Sequence, residues 1–231
     1  MILGFSGQAG SGKDTAADLL VEHGAVKVAL ADPMKRIVRN VYDFTTTQLW
    51  GPSAERNKPD LRYPRQHTWV GATCMCCGAP GIAGYENMCY LTARYALQQL
   101  GTEYGRGCYV DTWVALCIRT AQRILATDRQ RYSSERGLYH PYGDPYGDVG
   151  KPITMVVVPD VRFKNEMLAI RAAGGRLVRV KRPGAGLSGS SGQHVSEQEQ
   201  TGIADQAFDH VIDNSGTLED LRAKIKGIGV R

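Results

Sequence analysis

The chain has 231 residues, 42% of them hydrophobic, and a formal net charge of +5. That is enough apolar material for one substantial core, so a single α/β domain spanning residues 1–231 and carrying insertions is expected. No run of 18 apolar residues occurs and no basic segment precedes the first strand-like stretch, which points to a soluble cytoplasmic protein with no membrane partner. The positive charge is dispersed, without a block of five like charges, and suits anionic small molecules better than nucleic acid.

Met1 to Ser6 reads as a short buried strand, and Lys13 to His23 as a helix stopped by Gly24. Between them stands Gly7-Gln8-Ala9-Gly10-Ser11-Gly12-Lys13-Asp14-Thr15, which matches G-x-x-x-x-G-K in the strand-to-helix setting that gives the pattern its meaning. Phosphates need inward-facing backbone N–H groups, and Gly10 and Gly12 permit the required conformations. The helix start at Ser11 to Lys13 adds partial positive charge, and the Lys13 ammonium reaches the β- and γ-phosphates of a nucleoside triphosphate. Asp14 occupies the position that usually carries the Mg²⁺-binding hydroxyl, with Thr15 next as a phosphate contact.

Val26 to Ala31 is a second strand-like run. Asp32 is placed to cap a following helix, with Pro33 at its first position and Met34, Ile37, Val38, Val41 and Tyr42 as its apolar face. Asp32, Lys35 and Arg36 therefore fall at the carboxyl edge of the sheet, where α/β proteins bind ligands, and the two cations suit a phosphate. A solvent-facing helix charge is the alternative for both.

From Trp50 to Tyr90 the periodicity fades among prolines and glycines, as in an irregular insertion centred on about residues 66–90. Arg62, Arg65 and, further on, Arg106 are phosphate or base contacts in this reading, with Trp50 and Tyr63 as stacking surfaces or as local packing. Cys74-Met75-Cys76-Cys77-Gly78 contains C-x-x-C-G, the form of a structural zinc knuckle, so Cys74, Cys77 and Cys89 with His67 or Cys76 are the expected ligands. Free thiols are the alternative, and Cys108 and Cys117 read as small buried hydrophobes.

Thr92 caps a helix through Leu100, and Val110, Trp113, Val114, Ile118, Ala121, Ile124 and Leu125 recur at helical spacing in a longer one. Residues 128–151, with the repeated Pro-Tyr-Gly-Asp, read as an exposed loop. Ile153 to Val158 is a continuous β-branched run suited to the middle of a parallel sheet. Asp160 ends it as a Walker-B-like carboxylate that orients Mg²⁺ or its waters, and Arg162 neutralises a transferring phosphoryl group; a helix cap paired with an arginine is the competing reading. Met167 to Ala173 is helical, Leu177 to Val180 a strand, His210 to Asp213 a last strand and Leu218 to Ile225 a closing helix. Residues 182–197 read as a lid or a plain loop, with Arg182 closing on ATP. The alternation gives a three-layer P-loop α/β fold with a mostly parallel sheet.

Several segments together resemble the bacteriophage deoxynucleoside monophosphate kinases. They are Gly12-Lys13-Asp14-Thr15-Ala16-Ala17-Asp18, Ala31-Asp32-Pro33-Met34-Lys35-Arg36, Leu49-Trp50-Gly51-Pro52-Ser53, Arg62-Tyr63-Pro64-Arg65, Arg94-Tyr95-Ala96-Leu97-Gln98, Gly101-Thr102-Glu103-Tyr104-Gly105-Arg106, Asp160-Val161-Arg162-Phe163 and His194-Val195-Ser196-Glu197. The resemblance implies an adenylate-kinase-like fold, ATP with Mg²⁺ as donor, a deoxynucleoside monophosphate as acceptor, and the host cytoplasm as location if the chain is viral. It leaves open whether the protein is a monomer or a homodimer. Two rivals stand beside it: another small-molecule kinase, such as one acting on dephospho-coenzyme A, and a P-loop binding module with a zinc finger.

Overall fold

The computed structural model describes residues 1–66, 69–70, 73–74, 88–126, 131–139, 152–186 and 202–229. The backbone packs as two compact units, Met1–Leu30 with Trp113–Arg231, and Ala31–Thr112.

The first unit is built on a five-stranded sheet in the order β11-β10-β1-β9-β2, every neighbouring pair parallel. Its strands are β1 (Ile2–Ser6), β2 (Val26–Lys27), β9 (Val156–Val158), β10 (Arg176–Lys181) and β11 (His210–Asp213). Strand β1 is buried throughout, so alternate side chains enter two different cores. Leu3 and Phe5 join Val157, Val178 and Val180 under α1 (Lys13–Glu22) and the last helix, α8 (Leu218–Gly229), where Ala16, Leu20, Leu221 and Ile225 meet them. Ile2, Val156 and Val158 face the other way, onto Val114, Cys117 and Ile124 of α6 (Thr112–Ala126) and Met167 and Ile170 of α7 (Lys164–Ala172). The result is the expected three-layer α/β arrangement. Gly4 suits this packing, because a Cβ there would lie 2.7 Å from Ile170 Cδ1 and force that side chain to shift.

Two local expectations change. The strand foreseen over Val26 to Ala31 pairs only through Val26–Lys27, extended by Val28 N–H to Val157 O at 2.9 Å, before the chain turns away. The stretch 131–139, foreseen as exposed loop, is a hairpin of β7 (Arg131–Ser133) and β8 (Gly137–Tyr139), with Tyr132 and Leu138 against the core. The repeated Tyr-Gly-Asp segment lies outside the described residues.

The second unit carries α2 (Asp32–Tyr42), α3 (Thr46–Trp50), α4 (Ser53–Asn57), α5 (Ala93–Gln98) and a π-helical stretch, Gln99–Arg106. An antiparallel pair, β3 (Pro59–Gln66) with β6 (Met88–Thr92), runs beside them, irregular between Asp60 and Pro64. A smaller pair joins β4 (Trp69–Val70) and β5 (Thr73–Cys74). Val38, Phe44, Leu49, Ala93 and Ala96 form the core, with Tyr42, Trp50 and Tyr63 packed on it. Thr45 and Gln48 form a reciprocal cap at the start of α3. Thr92 caps α5 as expected, its Oγ1 accepting from Tyr95 N–H at 3.1 Å. Asp32 does not cap α2: it is the first helical residue, 1% exposed, and its carboxylate faces Trp50 instead.

Candidate functional site

In the first unit the glycine loop leaves the carboxyl end of β1 and runs into α1. Gly10 and Gly12 adopt φ of 78° and 93°, in the left-handed region that side chains disfavour. Ser11 N–H donates to Gln8 O at 3.1 Å, Ala9 O accepts from Gly186 N–H at 2.9 Å, and Ser11 O accepts from Asn214 Nδ2 at 2.9 Å. Lys13 is 6% exposed, yet its ammonium lies 3.6 Å from Asp160 Oδ1. Asp160 Oδ2 accepts from Arg162 Nε at 2.9 Å, while Oδ1 is buried with no hydrogen-bond donor among the described residues. Three residues named from sequence as catalytic, Lys13, Asp160 and Arg162, are thus brought into one cluster at the edge of the sheet.

Of the competing reading, a helix cap paired with an arginine, the Arg162 ion pair forms but the cap does not. Glu166 caps α7, its carboxylate accepting from Arg162 N–H at 2.7 Å and Phe163 N–H at 3.0 Å. Asp160 therefore remains directed at cations, not at backbone.

Two cavities flank the loop within this unit. One, of about 540 Å³, is lined by Gly7, Gln8, Ser11, Arg179, Lys181 and Arg182 among others; the second, of about 340 Å³, by Gly12, Thr15, Arg182, Asn214 and Thr217 among others. Arg182 borders both. Asp14 and Thr15 are exposed at the start of α1. On the wall of the larger cavity Asp205 accepts from Lys181 Nζ at 2.6 Å and Arg179 Nη1 at 3.1 Å. The Lys181 bond, followed by the nearby positive charges, lowers the Asp205 pKa. Residues 187–197 of the expected lid lie outside the described residues.

In the second unit Asp32, Lys35 and Trp50 come together. Trp50 Nε1 donates to Asp32 Oδ1 at 3.2 Å, and Lys35 Nζ and Arg39 Cζ each lie 5.5 Å from the centroid of its ring. Arg36 is on the same first turns of α2, half-buried. Arg39 was not foreseen; its place four residues after Lys35, on the same helix side, was the available signal.

The residues of β3 are engaged with protein. Arg62 grips Asp60 with Nε and Nη2, at 2.9 and 2.7 Å, and also donates to Asp43 O at 3.1 Å. Gln48 Nε2 adds a bond to Asp60 at 3.1 Å. Arg62 first, against the counter-effect of burial, and then Gln48 hold the Asp60 carboxyl far below the usual carboxylate range. Tyr63 gives its hydroxyl to Tyr42 O at 2.7 Å, and its ring packs edge-on against Tyr42 and Phe44. The Arg65 guanidinium lies 3.9 Å from the Tyr95 ring centroid, with Nη2 donating to Tyr95 OH at 2.9 Å. Arg106 closes the π-helical stretch and is half-buried. The geometry thus gives Arg62 and Tyr63 partners within the protein, with the Arg62 side chain still 48% exposed.

Of the proposed zinc ligands, Cys74 and Cys89 are buried in one small cluster with Tyr95. His67, Cys76 and Cys77 lie outside the described residues, and among the described residues no group of three potential ligands gathers. No helix among the described residues is long and apolar enough to cross a membrane.

A family model described as deoxynucleotide monophosphate kinase matches residues 142–225. A deoxynucleotide monophosphate kinase of Enterobacteria phage T4 is 27% identical over 241 residues, covering 96% of this chain and 95% of its own. A protein of Acanthamoeba polyphaga mimivirus, provisionally named as the same enzyme, is 27% identical over 226 residues, covering 97% of this chain and 94% of its own. Over nearly its whole length the chain is similar to these two viral kinases. The stretch that the kinase family model matches includes Asp160, Arg162, Arg182 and Asn214, while the glycine loop falls within the near full-length likeness to the two viral kinases. The crystal structure of TT1252 from Thermus thermophilus overlaps with a TM-score of 0.41 and 17% identity over 99% of this chain and 95% of that one, too loose a likeness to carry an argument.

Proposed function

We propose that this protein is a deoxynucleoside monophosphate kinase that moves the γ-phosphoryl group of ATP onto a dNMP to give a dNDP and ADP. The observation that carries the donor half is the buried Lys13 ammonium, held 3.6 Å from Asp160 at the mouth of a glycine loop. A buried lysine is costly unless an anion accompanies it, and a triphosphate supplies several. The acceptor half rests on the likeness to the two viral kinases, with the Asp32–Trp50–Lys35 group as the residues that fit a nucleotide.

Loop amides and Lys13 hold the β- and γ-phosphates. An oxygen of the acceptor phosphate attacks the γ-phosphorus in line, a new P–O bond forms, the bond to the β-bridging oxygen breaks, and ADP leaves. Lys13 and Arg162 offset the negative charge spread over the transferring group, so alignment and charge compensation suffice and no strong base is needed. Lys35 and Arg36 hold the acceptor phosphate, and the Trp50 face supports the base. Asp160 Oδ1, which faces the Lys13 ammonium at 3.6 Å but takes no hydrogen bond among the described residues, suits Mg²⁺ or a Mg²⁺-bound water, with Asp14 and Thr15 near the loop as further oxygen donors. When bound, the ion supplies charge neutralisation between the phosphates. Zinc at Cys74, Cys77, Cys89 and His67 is a separate proposal; the shared burial of Cys74 and Cys89 supports it, and metal analysis of the purified protein tests it.

The deciding experiment is coupled ADP release over dAMP, dCMP, dGMP, dTMP, the ribonucleotides and dephospho-coenzyme A, with Lys13→Ala as control. ADP release that depends on a dNMP supports the reading. Release that is indifferent to every nucleotide, or that follows dephospho-coenzyme A, overturns it.

A further inference from the structure

The glycine loop is held by a side chain from the far end of the chain. Asn214 follows β11, is 6% exposed, and donates from Nδ2 to Ser11 O at 2.9 Å and from its backbone N–H to Lys181 O at 2.7 Å. The turn that presents it is itself fastened. Asp213 Oδ1 accepts from Ser215 N–H at 3.0 Å, and Thr217 and Asp220 cap α8 reciprocally, at 2.8 and 3.2 Å. Loop and turn also interlock by shape, since a Cβ on Gly12 would run into Asn214 Nδ2.

The Ser11–Gly12 peptide is trans and planar, so its C=O and N–H point in opposite directions. Holding Ser11 O against Asn214 therefore aims Gly12 N–H the other way. Among the described residues neither Gly10 nor Gly12 donates its N–H to a protein acceptor. Gly12 has little intrinsic preference between the two senses of this peptide, because glycine populates both halves of φ space. Something outside the loop has to choose, and Asn214 is the group in contact.

We propose that Asn214 is the positioning residue of the phosphate loop: its amide fixes the Ser11–Gly12 peptide so that Gly12 N–H faces the phosphates of the bound nucleotide. This rests on the loop being the ATP site. Asn214 then acts on the grip for ATP and ADP and leaves the acceptor dNMP alone.

The test uses the full chain and compares Asn214→Asp with Asn214→Ala by calorimetric titration of ATP, ADP and a dNMP between pH 5.5 and 8.5, with thermal melts of each protein. Aspartate matches the native size but cannot donate when ionised, and it also repels phosphate; alanine removes the donor without adding charge. Both variants should bind ATP and ADP about tenfold more weakly at pH 8, the value of one net hydrogen bond. Their dNMP affinity should match wild type. As pH falls, the aspartate variant should recover relative to wild type at the same pH, because a protonated carboxyl regains an O–H donor, while alanine should not. ATP affinity within twofold of wild type in the folded variants, or an equal loss for the dNMP, would each overturn the proposal. A wild-type protein that fails to bind ATP removes the loop reading itself; wild-type binding with unaffected variants removes only the role of Asn214.

Discussion

Replacing Lys13 by alanine should abolish phosphoryl transfer while leaving the protein folded. The side chain is 6% exposed, so water cannot substitute for it, and its removal does not strand its partner, because Asp160 keeps Arg162 Nε at 2.9 Å. An ammonium about 4 Å from a phosphate oxygen, at an effective dielectric of about 20, contributes about 4 kcal/mol. If that interaction is fully expressed in the transition state, kcat/KM falls about a thousandfold. The assay is ADP release with a saturating dNMP, alongside thermal melts. Lys13→Arg should fail nearly as badly, since a planar fork does not reproduce a compact point charge in a closed loop. A folded Lys13→Ala protein within tenfold of wild-type kcat/KM would refute the electrostatic reasoning.

Three further outcomes follow from the geometry. Asp160→Asn removes the negative charge facing Lys13, so kcat should fall about a hundredfold while affinity for metal-free ATP holds or rises, measured by steady-state kinetics and titration. Trp50→Phe deletes the indole bond to Asp32 at 3.2 Å, and KM for the dNMP should rise about fivefold with KM for ATP unchanged. Asp60 has a folded pKa far below its unfolded one, so its stabilising effect is full above about pH 4 and is lost as pH drops below that. Asp60→Asn should lower stability by about 2 kcal/mol at pH 7 and flatten the acid limb of the stability profile, read by urea denaturation at several pH values.

The parallel sheet and its glycine loop were readable because the responsible signals are local. Val156 to Val158 are buried on both sides and so are uniformly apolar, and Gly10 and Gly12 mark backbone that other residues avoid. The second unit was far less legible. Pro59 and Pro64 hide β3 from any strand pattern, yet the strand forms because it is an edge, bulged between Asp60 and Pro64. That Arg62 is paired with a buried Asp60 is something no spacing rule states. Asp32 looked like a cap, and its Trp50 partner is eighteen positions away. Asn214 had a faint signal, an Asp-Asn-Ser-Gly turn at the carboxyl edge of the sheet; its bond to Ser11 spans nearly the whole chain.

The stretch Gln99–Arg106 winds with wider turns than α5, which leads into it, and Gly101 there sits so near Met34 that an added Cβ would fall 2.8 Å from Sδ. Such a segment carries surplus length relative to an ordinary helix. Excising one residue from it would let the coil tighten to α-helical winding, which takes up most of the about 100° that one residue spans and leaves Arg106 close to its present bearing. A one-codon deletion there should therefore be tolerated better than the same deletion inside α6, where no surplus residue exists to absorb it.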